Sequence, residues 1–431
     1  MEASQPKVES SAAPEANSTA FVHAGVAPDP LTGAICKPIY FSTTFVQPSV
    51  EEYLQKGFSY SRSANPTVSA LEERMRAIEG GAQAVCFSSG MAATVAVLTT
   101  FLSAGDHCVM PQCVYGGSFR AANEYLRRFG VEFDFVDFRE VAAVEAALRQ
   151  NTKLVFAETP ANPTLQLTDL AAIDLLLARE EVRRAGLQGA AAAALLLAAA
   201  GPQRQQQRQV LLVVDSTFAT PLLLQPLALG ADVVLHSTTK FIDGHNVTTG
   251  GCAVARQQQL AQQIAHTRNV CGSIMDPQTA AYQLSFAATL PLRLLQQSST
   301  ALLLASFLEK KSQVRKVLYP GLDSHPQRAL ARKYHRGGLH GAVLGFELNG
   351  GVQAGMKLMN TIGYPFSLCE NLGSVQSLIT CPAVFTHAQL TKEQQQAIGL
   401  SEGYVRLSVG LESPQDLISA LDKALQGLDE P

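Results

Sequence analysis

From Thr67 to about Gly250 the chain alternates between helical apolar stripes and short apolar runs rich in β-branched residues, and few folds accept that alternation. Leu71, Met75 and Ile78 repeat at helical spacing, so a helix starts at Thr67. Ala84–Phe87, His107–Met110, Val131–Val136, Leu154–Ala157, Val210–Val214 and Asp232–Leu235 read as strands. Such a series predicts an α/β domain around a mostly parallel sheet, spanning 67–290. Beyond it, helices surround an alternating strand at Gly341–Leu348 and another at Val405–Val409. Residues 291–431 therefore read as a smaller α+β domain.

At 431 residues the chain is too long for one ordinary core, so at least two domains are expected. Apolar residues at 47% and charged residues at 16% fit a globular chain and exclude a disordered one. A net charge of −3 gives no electrostatic footprint for nucleic acid or an anionic membrane, so neither partner is expected. The eight cysteines are scattered with no C-x-x-C pair, and read as reduced, mostly buried thiols. HExxH, paired CxxC and GxxxxGK[ST] motifs are all absent, so no metal is expected.

Three segments stand outside the alternation. Residues 1–20 are polar and rich in Ser, Ala and Pro, and read as a disordered tail. They lack the arginines of a transit peptide and the apolar core of a secretory signal, so the expected location is the cytoplasm. Residues 21–66 are extended and turn-rich, with little to bury alone, and read as an arm packing on a neighbouring subunit. Residues 179–209 hold an alanine/leucine tract and then GPQRQQQRQ, a low-complexity insertion at the surface. Its apolar part is shorter than the roughly 20 residues a membrane span needs.

In open α/β sheets, ligands bind beyond the carboxyl ends of the strands. Three such ends carry unusual residues. VLLVVD ends in Asp215, DVVLHSTTK ends in Ser237, Thr239 and Lys240, and AVCF leads into SSGMAA, which opens a helix. Free N–H groups and the positive dipole end make that helix start a natural phosphate site, which Gly90 lets the backbone approach. Asp215 at the end of an apolar strand needs a cationic or hydrogen-bonding partner. A protonated pyridine nitrogen would serve, and would keep such a ring electron-poor. Lys240 becomes a nucleophile if partly desolvated. Each feature taken singly also has an ordinary reading: a capped helix, a structural ion pair, a solvated lysine.

Read in order, HAG, YSRSANPT, SSGMAA, GDH with YGG, ETPANPT, VDSTFATP, HSTTKFIDGH, YPGLDSHP and RLSVGLE resemble the Cys/Met-metabolism family of pyridoxal 5′-phosphate (PLP) enzymes. That family includes cystathionine γ-lyase, cystathionine γ-synthase and cystathionine β-lyase. The resemblance runs from about Val22 to Leu428 and implies a fold-type-I PLP-dependent enzyme. It implies that Lys240 is the Schiff-base lysine and that Asp215 pairs with the pyridine nitrogen, with Thr217 among the cofactor contacts. Tyr115 would stack on the ring and assist proton transfer, while Gly90, Met91, Ser237 and Thr239 would cradle the phosphate. Tyr60 and Arg62 would reach the phosphate of a neighbouring subunit, in a homotetramer built from dimers with shared active sites. Asn162 would lie near the ring hydroxyl and the substrate carboxylate, which Arg406 would clamp with a backbone contact from Ser377. Glu158, His245 and His325 read as structural.

The implied substrate is a small sulfur amino acid. In many cystathionine-handling members an acid stands where this chain has Ser59, and another where it has Gln376. Those two uncharged residues would still hydrogen-bond a distal ammonium. Methionine γ-lyases usually carry a cysteine where Gly117 stands, and Val247 replaces a further family acid. The expected activity is cystathionine γ-lyase-like, with γ-synthase or β-lyase as the alternative. From other classes, an aminotransferase would share the Lys/Asp pair, and an inactive PLP-binding scaffold would keep the cofactor without turnover.

Overall fold

The computed structural model describes residues 18–53, 55–189, 191–192, 208–385 and 391–428. The larger sheet holds β1 (Gln83–Phe87), β2 (His107–Pro111), β3 (Glu132–Val136), β4 (Thr152–Glu158), β5 (Leu211–Asp215), β6 (Val233–His236) and β7 (Gly251–Ala255). Their order is β1-β7-β6-β5-β4-β2-β3. The run β3-β2-β4-β5-β6 is parallel throughout, and β7 is antiparallel to both β6 and β1. All six expected strands are present within two residues. β7 was not anticipated, because GCAVA contains one β-branched residue and opens on the second of two glycines.

Parallel strands with helical crossovers bury both faces, and β2 and β7 are buried at every position. That arrangement gathers the carboxyl ends of β4, β5 and β6 on one edge, with Glu158 opposite Asp215 and Asp215 opposite Leu235. Two helices start on side-chain caps, and the second starts at this edge. In α2 (Pro66–Glu79), Asn65 Oδ1 caps by accepting the Thr67 N–H at 2.9 Å, and Gly80 ends the helix at φ 72°. In α3 (Gly90–Phe101), Ser89 Oγ accepts the Ala92 N–H at 3.1 Å.

The smaller sheet has the order β10-β11-β12-β9-β8. Its strands are β8 (Val314–Leu318), β9 (Val343–Leu348), β10 (Ser367–Leu368), β11 (Leu378–Thr380) and β12 (Tyr404–Ser408). Side chains alternate across β12. Val405 and Leu407 enter the smaller core, whereas the Tyr404 hydroxyl donates to the Pro163 carbonyl at 2.7 Å, across to the loop after β4. Arg406 is fully buried and reaches the same loop.

Two sequence expectations need correction. The tail reading 1–20 falls on residues 1–17, which lie outside the described residues, and on the start of a helix: Ser18–His23 is helical with Ala20 and Phe21 buried. The insertion was drawn too wide at both ends. Arg179–Arg184 complete the helix Leu170–Arg184, and Arg208 is buried rather than on the surface; most of the tract between lies outside the described residues. Five of the eight thiols are buried, but Cys36, Cys271 and Cys369 are exposed. Among the described residues no helix is long and apolar enough to cross a membrane, and no cluster of His, Cys, Asp and Glu is placed to hold a metal.

Arg208 ties the chain after the tract back into the sheet. It donates to Asp232 at 3.0 Å, to Asp174 at 2.9 Å and to the Gly230 carbonyl at 2.8 Å, all buried. Removing one partner of a buried ion cluster strands the others. Arg208→Ala should therefore cost about 3–5 kcal/mol, seen as a lower urea midpoint with an unchanged slope.

Candidate active site

The strand ends enclose a cavity of about 220 Å³. At one end lie Ser89, Gly90 and Met91 of α3, with Ser237 and Thr239 beside them. Gly90 is required there: a Cβ would sit 2.7 Å from Ser237 Cβ and 2.8 Å from its Oγ. Bare backbone N–H groups at the start of a twelve-residue helix, flanked by hydroxyls, make an anion cradle. The Thr239 hydroxyl is also engaged with Gly250, whose N–H it accepts at 2.9 Å.

In the middle stand Asp215, Thr217 and Lys240. Asp215 Oδ1 accepts the Thr217 N–H at 2.9 Å, and Thr217 Oγ1 accepts the Ser237 N–H at 2.8 Å, so β5 and β6 are pinned together at this edge. Burial pushes the Asp215 carboxyl up, against the Thr217 hydrogen bonds and the His236 charge. Glu158, its neighbour on β4, is pushed up by burial and then by Asp215. Two adjoining carboxyls facing a cavity, Glu158 buried and Asp215 half-buried, call for a cation inside it. Lys240 is pushed down to about 8, first by burial and then by Arg406. Its Nζ donates to Asn371 Oδ1 at 2.5 Å.

At the far end, Asn162 is buried and its Oδ1 accepts from Arg406 Nη1 at 2.9 Å. Arg406 Nη2 donates to the Glu370 carbonyl at 2.8 Å and the Asn371 carbonyl at 3.3 Å. Burial lowers the guanidinium to about 10, so it stays charged at neutral pH. Tyr115 lines the opposite wall, its backbone N–H donated to Glu158 Oε2 at 2.9 Å. A Cβ on Gly117 would fall 2.4 Å from the Tyr115 ring and 2.7 Å from Met91 Sδ.

The remaining expected residues lie elsewhere. Tyr60 and Arg62 do not line this chain's cavity; Arg62 is exposed and donates to the Asn269 carbonyl at 2.8 Å. Ser59 and Gln376 do not line it either. The Ser377 contact is withdrawn: the residue is fully buried, and both its N–H and its hydroxyl donate to Glu412 at 2.7 Å. Two participants escaped the sequence reading. Glu158 had the same signal as Asp215, a carboxylate ending an apolar run, but was taken as structural. Asn371 gave no local signal, since it meets Lys240 across 131 residues.

An anion cradle at a helix start, a desolvated lysine and a strand-end carboxylate needing a buried cation define a PLP enzyme: phosphate, aldehyde and pyridinium each meet a fitting group. Comparison with known proteins carries this further. The family model described as "Cys/Met metabolism PLP-dependent enzyme" matches residues 18–183 and 199–426. A cystathionine beta-lyase of Lactococcus lactis subsp. cremoris (strain MG1363) is 38% identical over 408 residues, covering 95% of this chain and 98% of the relative. A cystathionine gamma-lyase of Bacillus subtilis (strain 168) is 37% identical over 410 residues, covering 95% and 99%. A solved cystathionine gamma synthase from Xanthomonas oryzae pv. oryzae, in complex with aminoacrylate and cysteine, superposes with a TM-score of 0.84 at 37% identity, covering 96% of this chain and 98% of that one. The chain belongs to the Cys/Met metabolism family of PLP-dependent enzymes.

If Lys240 is the amine that takes the PLP aldehyde, its depressed pKa makes cofactor capture pH-dependent. An amine attacks an aldehyde only when neutral, and the neutral fraction rises through about 8. Capture of PLP by the cofactor-free protein should quicken roughly tenfold per pH unit below that value and level off above it. Stopped-flow absorbance at fixed PLP checks this.

Proposed function

We propose that this protein is a cystathionine γ-lyase-like transsulfuration enzyme, cleaving cystathionine to cysteine, 2-oxobutanoate and ammonia in the cytoplasm. The observation that carries the reading is that Lys240, Asp215 and Asn162 line one cavity, with Arg406 behind Asn162 and near enough to Lys240 to lower its pKa. A substrate α-carboxylate on Arg406, by the guanidinium's bidentate fork, brings the α-carbon to the Lys240 amine. Bound PLP supplies the electron sink that makes the α-proton acidic. Lys240, poised near neutrality, accepts that proton, and for γ-chemistry a second proton leaves Cβ. Tyr115, over the same cavity, assists proton transfer. The crowding around Gly117 supports a cystathionine-type site over a methionine γ-lyase with cysteine there, because the added Cβ would displace the Tyr115 ring.

The second reading is cystathionine γ-synthase or β-lyase. The segment NLGSVQS, which looks more like that of some β-lyases, favours it; the uncharged Ser59 and Gln376 weaken charge-based binding of cystathionine in any of these readings. A product assay decides. Cystathionine yielding cysteine and 2-oxobutanoate supports γ-lyase, and homocysteine with pyruvate means β-lyase. Cystathionine formed from an activated homoserine ester and cysteine means synthase.

The same proposal includes the division into 67–290 and 291–431, and a homotetramer of dimers in which the arm 21–66 completes a neighbour's site. Supporting it, Leu31, Ile35, Phe41, Val46 and Val50 of the arm are all exposed, an apolar surface of the sort that marks association. Arg62→Ala should then weaken PLP retention about tenfold or more, the loss of one charge-assisted phosphate contact. Equilibrium dialysis reads this. A monomeric form that holds PLP as tightly as the oligomer would remove the shared-site proposal.

A further inference from the structure

We propose that Glu158 is a positioning residue whose single buried carboxylate sets both Tyr115 and Asn162 against the reacting groups. Glu158 ends β4 and is 5% exposed. Oε2 accepts the backbone N–H of Tyr115 at 2.9 Å, and Oε1 accepts the backbone N–H of Asn162 at 2.7 Å. The two donors come from separate loops, one following β2 and one following β4. Each belongs to a residue whose side chain bears on the chemistry. Tyr115 forms one wall of the cavity, and Asn162 Oδ1 receives Arg406 Nη1. One carboxylate thus fixes the ring wall and, through Asn162, one hydrogen bond of the substrate-carboxylate clamp.

The site accepts an electrostatic cost for this. Glu158 lies in register with Asp215, and a second buried carboxyl beside the first is unfavourable. A carboxylate nevertheless does here what no neutral side chain of the same size can. It offers two acceptor oxygens, one to each loop, whereas glutamine offers one acceptor and a donor that opposes the second N–H. The proposal concerns positioning within PLP chemistry and stands apart from which sulfur amino acid is cleaved.

The test is Glu158→Gln, prepared as PLP-loaded protein. Three properties are measured: visible circular dichroism of the bound cofactor, affinity for a non-reacting carboxylate analogue of the substrate, and thermal midpoint. The expected result is a folded protein with a changed visible dichroic band, because the Tyr115 wall has moved. Analogue affinity should fall about tenfold and kcat by a similar factor or more, from one backbone N–H left facing a donor. If Glu158→Gln does not accumulate folded, Glu158→Asp provides the same reading: it keeps the charge but is one methylene too short to span both loops. A folded variant with unchanged dichroism and unchanged analogue affinity would overturn the proposal, even if its thermal midpoint dropped.

Discussion

Lys240→Ala is expected to lower turnover by at least about 10³-fold and to leave PLP bound only non-covalently. Two jobs converge on that one amine. On the proposed reading it anchors the aldehyde and takes the α-proton, beside an Arg406 that would hold the substrate carboxylate. The structure prepares it for both, with burial and Arg406 together pushing its pKa down to about 8. Removing the side chain leaves the phosphate cradle of α3 intact, so cofactor should still enter and then wash out on dialysis. Kinetics with cystathionine, together with absorbance after gel filtration, check both halves. Full activity in the variant would refute the assignment.

Asp215→Asn should divide catalysis from stability. The amide keeps the acceptor for the Thr217 N–H, which lies 2.9 Å from Asp215 Oδ1, but cannot neutralise a pyridinium. Losing the charged partner of a buried cation costs about 3 kcal/mol or more, hence a fall in kcat on the order of 10²-fold. The cofactor-free protein should respond in the opposite sense. Burial raises the folded-state pKa of Asp215 above the ordinary aspartate range. A carboxyl raised on folding binds protons more tightly when folded, so its penalty is absent below the unfolded pKa. The penalty grows as pH rises toward the folded value and is fully present above it. Asparagine removes that penalty. Cofactor-free Asp215→Asn should therefore melt at or above the parent temperature at pH 7, with the advantage shrinking as pH falls toward 4. Calorimetry on the two cofactor-free proteins measures it.

The parts of this molecule that were readable from sequence share a physical trait: their signal is local. Val210–Val214 and Asp232–Leu235 are uninterrupted apolar runs, and they are β5 and β6 within a residue. SSGMAA announces a cap, and Ser89 caps α3. Asp215 and Lys240 are polar residues ending such runs, so their position at the sheet edge follows from the run itself. What stayed hidden depends on distant partners. Ser377 is claimed by Glu412, 35 residues on, and Asn371 meets Lys240 across 131. β7 is built from small residues that become a strand because β1 and β6 flank it on both sides. β10 is two exposed residues that no periodicity reveals. Glu158 is the instructive case. Its signal was local and equal to that of Asp215, but its value lies in two backbone N–H groups that only the fold brings to it.

The proposed chemistry depends on which amine receives the cofactor aldehyde. Borohydride reduction of the PLP-loaded protein, followed by digestion and mass spectrometry, reads that directly. The expected result is one phosphopyridoxyl-labelled peptide, containing Lys240 and the HSTT sequence before it, at about one label per chain. Label on a different lysine, or no label on a protein that turns over, would contradict it.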